Sequence, residues 1–567
     1  MNDIKVMNHA ADNIRILAAS MVEKANSGHP GGAMGGSDFI NVLFSEYLVY
    51  DPSDPTWTGR DRFFLDPGHM SPMLYAGLAL RGFFSMEDLK QFRQWGSVTP
   101  GHPELDLQRG IENSSGPLGQ GHALAAGAAV AEKFLEARLG STMMQHKIYA
   151  YISDGAVEEE ISQGVGRIAG NLGLNNLIMF YDSNDIQLST ECGVVMNEDT
   201  EMKYKAWGWN VIKINGNDVA QIREALDAAQ KEQDRPTLII GKTVMGKGAL
   251  RADGTSYEAC INTHGAPLGG DAYVNTIKHL GGDPENAFVI FDDVKEIYAK
   301  RAEELKKIVA ERKAAEAEWR KANPEKAAQM DEWFSGKAPK VDWSKVEQKA
   351  GSATRAASAA CLGVLAEQVP NMICASADLS NSDKTDGFLK KTKSIVRGDF
   401  SGAFFQAGVA ELTMADMCIG MMLHGAVYVI ERRVLIFYLV EKHFPDAIDQ
   451  GLRRVLVHHV ASVLQSAAKQ SESYHCRQHE NQHIRVLLQI LERVLVYYER
   501  IGYLLRKIRC DYVHRLAHYR NAQRKYVYRA AALHVLPQPS EKKHTISPSL
   551  LPARFLSFAQ VFENVYC

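Results

Sequence analysis

Long apolar runs are missing from this sequence: no window holds 18 uninterrupted apolar residues, so no stretch reads as a membrane-spanning helix. Paired cysteines are missing too. The eight cysteines, Cys192, Cys260, Cys361, Cys374, Cys418, Cys476, Cys510 and Cys567, are scattered with no Cys-x-x-Cys. That excludes a disulfide framework and reads as the reduced thiols of a large intracellular protein. The start, Met1-Asn2-Asp3-Ile4-Lys5, lacks the basic and apolar regions of a secretory signal, which makes the cytoplasm the expected location. Strong charge of one sign is also lacking. A formal net charge of -3 over 567 residues gives no basis for nucleic-acid or membrane-surface binding by the chain as a whole. With 46% hydrophobic and 23% charged residues, the composition is that of a soluble globular protein, long enough for three or four domains of about 150 residues.

Glycine becomes scarce at one point. Residues 1–425 hold 43 of the 45 glycines, leaving Gly451 and Gly502 for the last 142 residues. Lys+Arg against Asp+Glu runs 43 to 56 before the break and 21 to 11 after it, so a segment of -13 is followed by one of +10. Arginine replaces lysine as the dominant cation, and 10 of the 19 histidines lie beyond the break. A joint shift of this kind marks a separate domain or a sequence of separate origin. Because it falls at one residue inside a domain pattern rather than at a linker, a shifted reading frame near codon 426 is the expectation.

What is present upstream is an α/β pattern. Lys147–Ile152 and Leu177–Tyr181 read as buried strands flanking a helical stretch at 158–170, one βαβ unit, and Thr237–Ile240 follows a helix over 219–233. Residues 293–330, rich in Ala, Glu, Lys and Arg, read as a solvated helical connector, with a linker at 343–349. A second α/β unit starts near 353 with a helix at 353–365 and a strand at 372–377, and its alternation stops near Gly425. Helical patterns at 434–440, 452–464 and 484–505 follow. The expected domains are therefore 1–292, a parallel-sheet diphosphate and metal-binding domain; 293–352, a connector; 353–425, the truncated start of a second α/β domain; and 426–567, a basic helical or poorly ordered tail.

The chemistry concentrates in loops. Ser153-Asp154-Gly155 follows one strand and Asp182-Ser183-Asn184 the next, which places Asp154 and Asn184 side by side at the carboxyl edge of a parallel sheet. Their oxygens suit Mg²⁺, and Gly155 lets a diphosphate approach the backbone near a helix start. Turn residues after two strands would look the same in isolation. Around them, Ser27-Gly28-His29-Pro30-Gly31, Pro67-Gly68-His69, Thr99-Pro100-Gly101-His102-Pro103-Glu104 and Thr263-His264-Gly265-Ala266-Pro267 set four histidines between turn formers, and Gly116-Pro117-Leu118-Gly119-Gln120-Gly121 adds a glycine-rich loop. Imidazoles gathered at one pocket suit proton transfer and hydrogen bonding to a polyol. Two lookalikes are set aside. The run 241–248 lacks the Ser/Thr of a P-loop, and His475, Cys476, His479 and His483 have helical metal-site spacing within a tail that is histidine-rich throughout.

Over about residues 5–425 these segments, in this order, resemble transketolase. The resemblance implies thiamine diphosphate with Mg²⁺ or another divalent cation, and transfer of a two-carbon ketol unit from a ketose phosphate to an aldose phosphate. Carried over, Asp154, Asn184 and the Ile186 carbonyl would hold the metal. His69, Gly116, Pro117, Leu118, Asp154, Gly155, Asn184, His264 and Glu411 would contact the cofactor. His29 and His264 would line the substrate channel, His102 would assist proton transfer, and Arg355 and Ser382 would hold the substrate phosphate. Glu411, in Ala407-Gly408-Val409-Ala410-Glu411-Leu412, matches the glutamate that exchanges a proton with the aminopyrimidine ring. Ser153 departs from the glycine usual in thiamine enzymes. The family's site lies between subunits, which implies a homodimer with sugar phosphates as substrates and neither nucleic acid nor membrane as partner. The motifs expected after Gly425 are not recognisable, which implies impaired catalysis and puts the dimer in question. The alternatives are a related thiamine diphosphate synthase, such as a deoxyxylulose phosphate synthase, and a non-catalytic cofactor-binding remnant.

Overall fold

The structure, a computed structural model, describes residues 1–140, 143–144 and 146–430. The helical patterns expected at 434–440, 452–464 and 484–505, and the His475, Cys476, His479 and His483 spacing, lie outside the described residues.

Five strands form the first sheet: β1 (Arg62–Leu65), β2 (Ile148–Ser153), β3 (Leu177–Ser183), β4 (Asn210–Asn215) and β5 (Thr237–Lys242), in the order β1-β2-β3-β5-β4. Every pairing is parallel. All six residues of β2 are buried, which is why its sequence shows a continuous apolar run rather than alternation. Its side chains nevertheless divide between two cores. Ile148, Ala150 and Ile152 pack with the Gln120–Leu139 and Glu160–Leu172 helices, while Tyr149 and Tyr151 face the Ile4–Ala25, Ser71–Leu80 and Val219–Lys231 helices. The parallel-sheet expectation holds, with strand ends one or two residues from those read in the sequence.

Two helical expectations change. The helix expected at 158–170 is present as Glu160–Leu172, and a short helix the sequence did not suggest, Asp154–Glu158, precedes it and stops where Glu159 turns to ψ 139°. Gly155 therefore sits in a single helical turn, not at the head of a long helix. The charged 293–330 stretch is an Asp292–Ala322 helix interrupted before Pro324, whose ring cannot continue it, and a Pro324–Phe334 helix. It is not wholly solvated, since Val294, Ile297, Tyr298, Leu305 and Val309 form a buried stripe at helical spacing.

Among the described residues the second sheet has three parallel strands, β6 (Met372–Ser376), β7 (Phe404–Gln406) and β8 (Tyr428–Ile430), in the order β7-β6-β8. β8 extends this sheet past Gly425, with Ala426, Val427 and Tyr428 buried. The two sheets are joined through helices. A Cβ built on Gly127 would lie 2.0 Å from the Met417 carbonyl oxygen, and one on Gly420 would lie 2.0 Å from that of Leu124. Only glycine permits the Gln120–Leu139 and Glu411–Leu423 helices to approach so closely. Among the described residues no helix is long and apolar enough to cross a membrane.

Candidate functional site

The site begins with the register of β2 and β3. Ser153 pairs with Asp182, so the chain leaves both strands at the same edge of the sheet. Asp154 and Asn184 meet there: the Asn184 amide donates to Asp154 Oδ2 at 3.1 Å and the Asp185 amide at 3.0 Å, while the Tyr181 hydroxyl donates to Oδ1 at 2.6 Å. Asp185 takes the left-handed conformation, φ 65°, that turns these amides inward. Asn184 Oδ1 accepts from the Ile186 amide at 3.0 Å, and its Nδ2 donates to Asp182 at 3.1 Å.

This corner is overloaded with carboxylate. Asp154 is 3% exposed and Asp182 fully buried. Burial, together with Asp182 and Asp185, pushes Asp154 up to about 6, against the pull of the Tyr181 and Asn184 hydrogen bonds. Burial likewise raises Asp182, although Thr243 and Tyr151 donate to it. Cys192 lies against Asp154, and burial and that carboxylate push its thiol up to about 12. Two buried carboxylates without a matching buried cation are what a divalent ion with oxygen ligands relieves, so the donor set fits Mg²⁺.

Glycines draw the loops to this corner. A Cβ on Gly155 would lie 2.9 Å from Leu118 Cδ1, and one on Gly68 would meet the Ser115 and Gly116 backbone at 2.8–2.9 Å. A Cβ on Gly31 would lie 2.6 Å from the Thr263 carbonyl oxygen. Gly116 itself faces open space. The result is a cradle floored by bare backbone at Gly116 and Gly155, which suits a diphosphate.

Three of the four predicted histidines come together. Ring centroids are 5.0 Å apart for His29 and His69, 5.8 Å for His29 and His264, and 5.4 Å for His69 and His264. His102 is close enough to depress both His29 and His69. Burial pushes His29 down to about 4, helped by His264, Arg93 and His102. Burial also lowers His69, His102 and His264, the last against a hydrogen bond to the Ile186 backbone. Near neutral pH all four rings are therefore uncharged, able to accept as well as donate hydrogen bonds. The link from His264 to Ile186 connects the histidines to the Asp154 corner.

The other candidates are positioned by the second sheet's unit. Arg355, at the start of the Thr354–Gln368 helix, donates to the Ser382 carbonyl oxygen at 3.4 Å, so this predicted pair is also brought together. Glu411 is the first residue of the Glu411–Leu423 helix. The loop before it is tied to the first unit by Arg167, which donates to the Ala407 carbonyl oxygen at 3.0 Å.

Several residues escaped the sequence reading. Arg93, at φ 60°, donates to Ser27 Oγ at 2.8 Å and so bridges the loop of His29 to that of His102. Asp66 accepts from the Gly119 amide at 3.0 Å and from His122 Nδ1 at 2.8 Å, which braces the glycine-rich loop from the residue before Pro67. The signal for Asp66 was its place directly before Pro67-Gly68-His69; for Arg93 no motif existed.

Comparisons with known proteins identify relatives of the chain as a whole. Residues 6–339 match the transketolase thiamine diphosphate binding domain, and residues 350–464 match the transketolase pyrimidine binding domain. A transketolase of Halalkalibacterium halodurans is 38% identical over 444 residues, covering 76% of this chain and 64% of that protein. Transketolase 2 of Escherichia coli is 38% identical over 434 residues, covering 73% and 63%. Among solved structures, transketolase from Leishmania mexicana superposes with a TM-score of 0.70 at 34% identity, covering 75% of this chain and 63% of that one. A Pichia stipitis transketolase in complex with sedoheptulose 7-phosphate gives 0.69 at 33%, covering 74% and 63%. The chain thus spans less than two thirds of the length of these relatives.

Proposed function

Because the chain belongs to the transketolase family, we propose that it binds thiamine diphosphate and a divalent cation and transfers a two-carbon ketol unit from a ketose phosphate to an aldose phosphate. The observation that carries this reading is the set of three imidazoles, 5.0–5.8 Å apart, linked through Ile186 to the Asp154 and Asn184 corner. A cation at that corner would be held by Asp154, Asn184 and the Ile186 carbonyl, with the cofactor's diphosphate over Gly116, Pro117, Leu118 and Gly155. Bound thiamine diphosphate supplies a carbon nucleophile for the donor carbonyl and a sink for the electrons of the broken carbon-carbon bond.

The chain's own residues then have distinct tasks. His29 and His264, held neutral, exchange hydrogen bonds with sugar hydroxyls and with the donor carbonyl oxygen, and neutral His69 contacts the cofactor, all without introducing buried positive charge. His102, exposed at the rim, exchanges protons with solvent. Arg355, beside Ser382, offers a planar guanidinium to the substrate phosphate. Glu411 exchanges a proton with the cofactor's aminopyrimidine. The site works between two copies of the chain, in the cytoplasm.

Binding and turnover are separable. Calorimetry on the full chain should show thiamine diphosphate binding that requires Mg²⁺; its absence at millimolar cofactor would refute the reading. The compositional break after Gly425 makes turnover below that of full-length relatives the expected result of a ketol-transfer assay. That same break favours the second reading, a cofactor-binding protein without turnover, which binding with no detectable ketol transfer would support. Pyruvate in place of a ketose phosphate as donor separates the deoxyxylulose phosphate synthase alternative.

A further inference from the structure

A second constellation lies away from the cofactor corner, where the end of the Glu411–Leu423 helix meets the first sheet. Glu132 projects from the Gln120–Leu139 helix, His146 precedes β2, and His424 follows the Glu411–Leu423 helix. His146 Nδ1 lies 2.9 Å and His424 Nε2 2.8 Å from the same carboxylate oxygen, Oε2 of Glu132. The His146 amide occupies Oε1 at 3.0 Å. The three ligand atoms are all within 4.8 Å of one another, and all three residues are buried.

We propose that Glu132, His146 and His424 bind a single late first-row divalent ion of the zinc class, between the two sheets and separate from the cofactor's cation. Two nitrogens and one carboxylate oxygen are the donor set of three-ligand zinc sites, which leave a fourth position for water or another ligand. Zinc bonds of about 2.0–2.2 Å in a tetrahedral shell set ligand atoms roughly 3.3 Å apart, so the carboxylate oxygen, now 2.8–2.9 Å from both nitrogens, would withdraw by roughly 0.5 Å.

The surrounding charges close on themselves. Arg62 donates to the His424 carbonyl oxygen at 2.9 Å and to Glu112 at 3.2 Å, and Arg60 grips Glu112 at 2.7 and 2.9 Å. A nitrogen-rich, oxygen-poor shell then selects zinc over Mg²⁺ or Ca²⁺.

The test uses the full chain, stripped of metal and titrated with zinc sulfate by calorimetry, with metal content read by mass spectrometry. One equivalent is expected. It should weaken by more than about 100-fold, beyond what loss of an outer-shell partner causes, in both Glu132→Gln and His146→Gln. It should persist in Asp154→Asn, which separates it from the cofactor's cation, and in His479→Gln, which separates it from the histidine-rich sequence after residue 430. No bound equivalent, zinc that survives both substitutions, or zinc lost with His479→Gln would each overturn the proposal. Should those variants fail to fold, cobalt on the unaltered chain decides. Visible bands of a four- or five-coordinate nitrogen and oxygen site support it, whereas thiolate charge-transfer or purely octahedral bands sink it.

Discussion

Individual residues carry the clearest chemical expectations. Asp154→Asn removes the only ionisable oxygen among the proposed cation ligands, and Mg²⁺-dependent thiamine diphosphate binding should weaken by at least about 100-fold in calorimetry while the fold persists. His29 is held near 4, below the 6.5 of an unfolded histidine. Its sign is that of a group kept neutral: its contribution to stability is present above pH 6.5 and is lost as pH falls toward 4. Proton NMR of the ligand-free chain should show this ring titrating near pH 4, and a midpoint near 6.5 would contradict the packing described. Asp416 behaves oppositely. Burial raises it to about 6, and its Oδ2 has no partner among the described residues. A carboxylate raised on folding costs stability above that value, and the cost fades as pH falls through its unfolded value near 4. Asp416→Asn should therefore stabilise the chain by on the order of 1–2 kcal/mol at pH 8, allowing for partial solvent contact, and by nothing measurable at pH 4 in urea melts. The histidines were legible in the sequence because Gly and Pro on either side fix each loop. Arg93 and the Glu132 cluster were not, because nothing local distinguishes a residue whose partner is 292 positions away, as with Glu132 and His424.

At the level of elements, the crossing of the Gln120–Leu139 and Glu411–Leu423 helices is where backbone space is tightest. Alanine ordinarily favours a helix over glycine by about 1 kcal/mol. Here Gly127→Ala or Gly420→Ala would drive a methyl into a carbonyl oxygen, and a net loss of about 1–3 kcal/mol is expected from chemical denaturation. Gly193→Ala, with nothing within 4 Å of the new methyl, should stay within about 0.5 kcal/mol. Strands were readable as apolar runs because sheets covered on both faces need them. The break at Glu159 was not, since it depends on a ψ of 139° that glutamate adopts without any sequence signal. The buried stripe of the Asp292–Ala322 helix was masked by the charged residues that outnumber it.

The whole molecule leaves apolar side chains in water near the proposed subunit contact. Val409 is 79% and Leu412 62% exposed, on either side of the start of the Glu411–Leu423 helix. If two copies meet there, Leu412→Glu should weaken self-association by more than tenfold in sedimentation experiments, and an unchanged dimer would place the contact elsewhere. The α/β class and the order of its motifs were visible at this scale, as was the compositional break; the continuation of the second sheet into β8 was not, because a three-residue strand leaves too short a pattern. The strand order also bears on synthesis. Among the described residues β1 is an edge strand whose sole sheet neighbour, β2, begins 86 residues later, Arg62 pairing with Ile148. During translation at about 5–20 residues per second, Phe63, Phe64 and Leu65 wait roughly 4–17 s for that partner, an interval in which a ribosome-associated chaperone has a defined apolar tripeptide to hold.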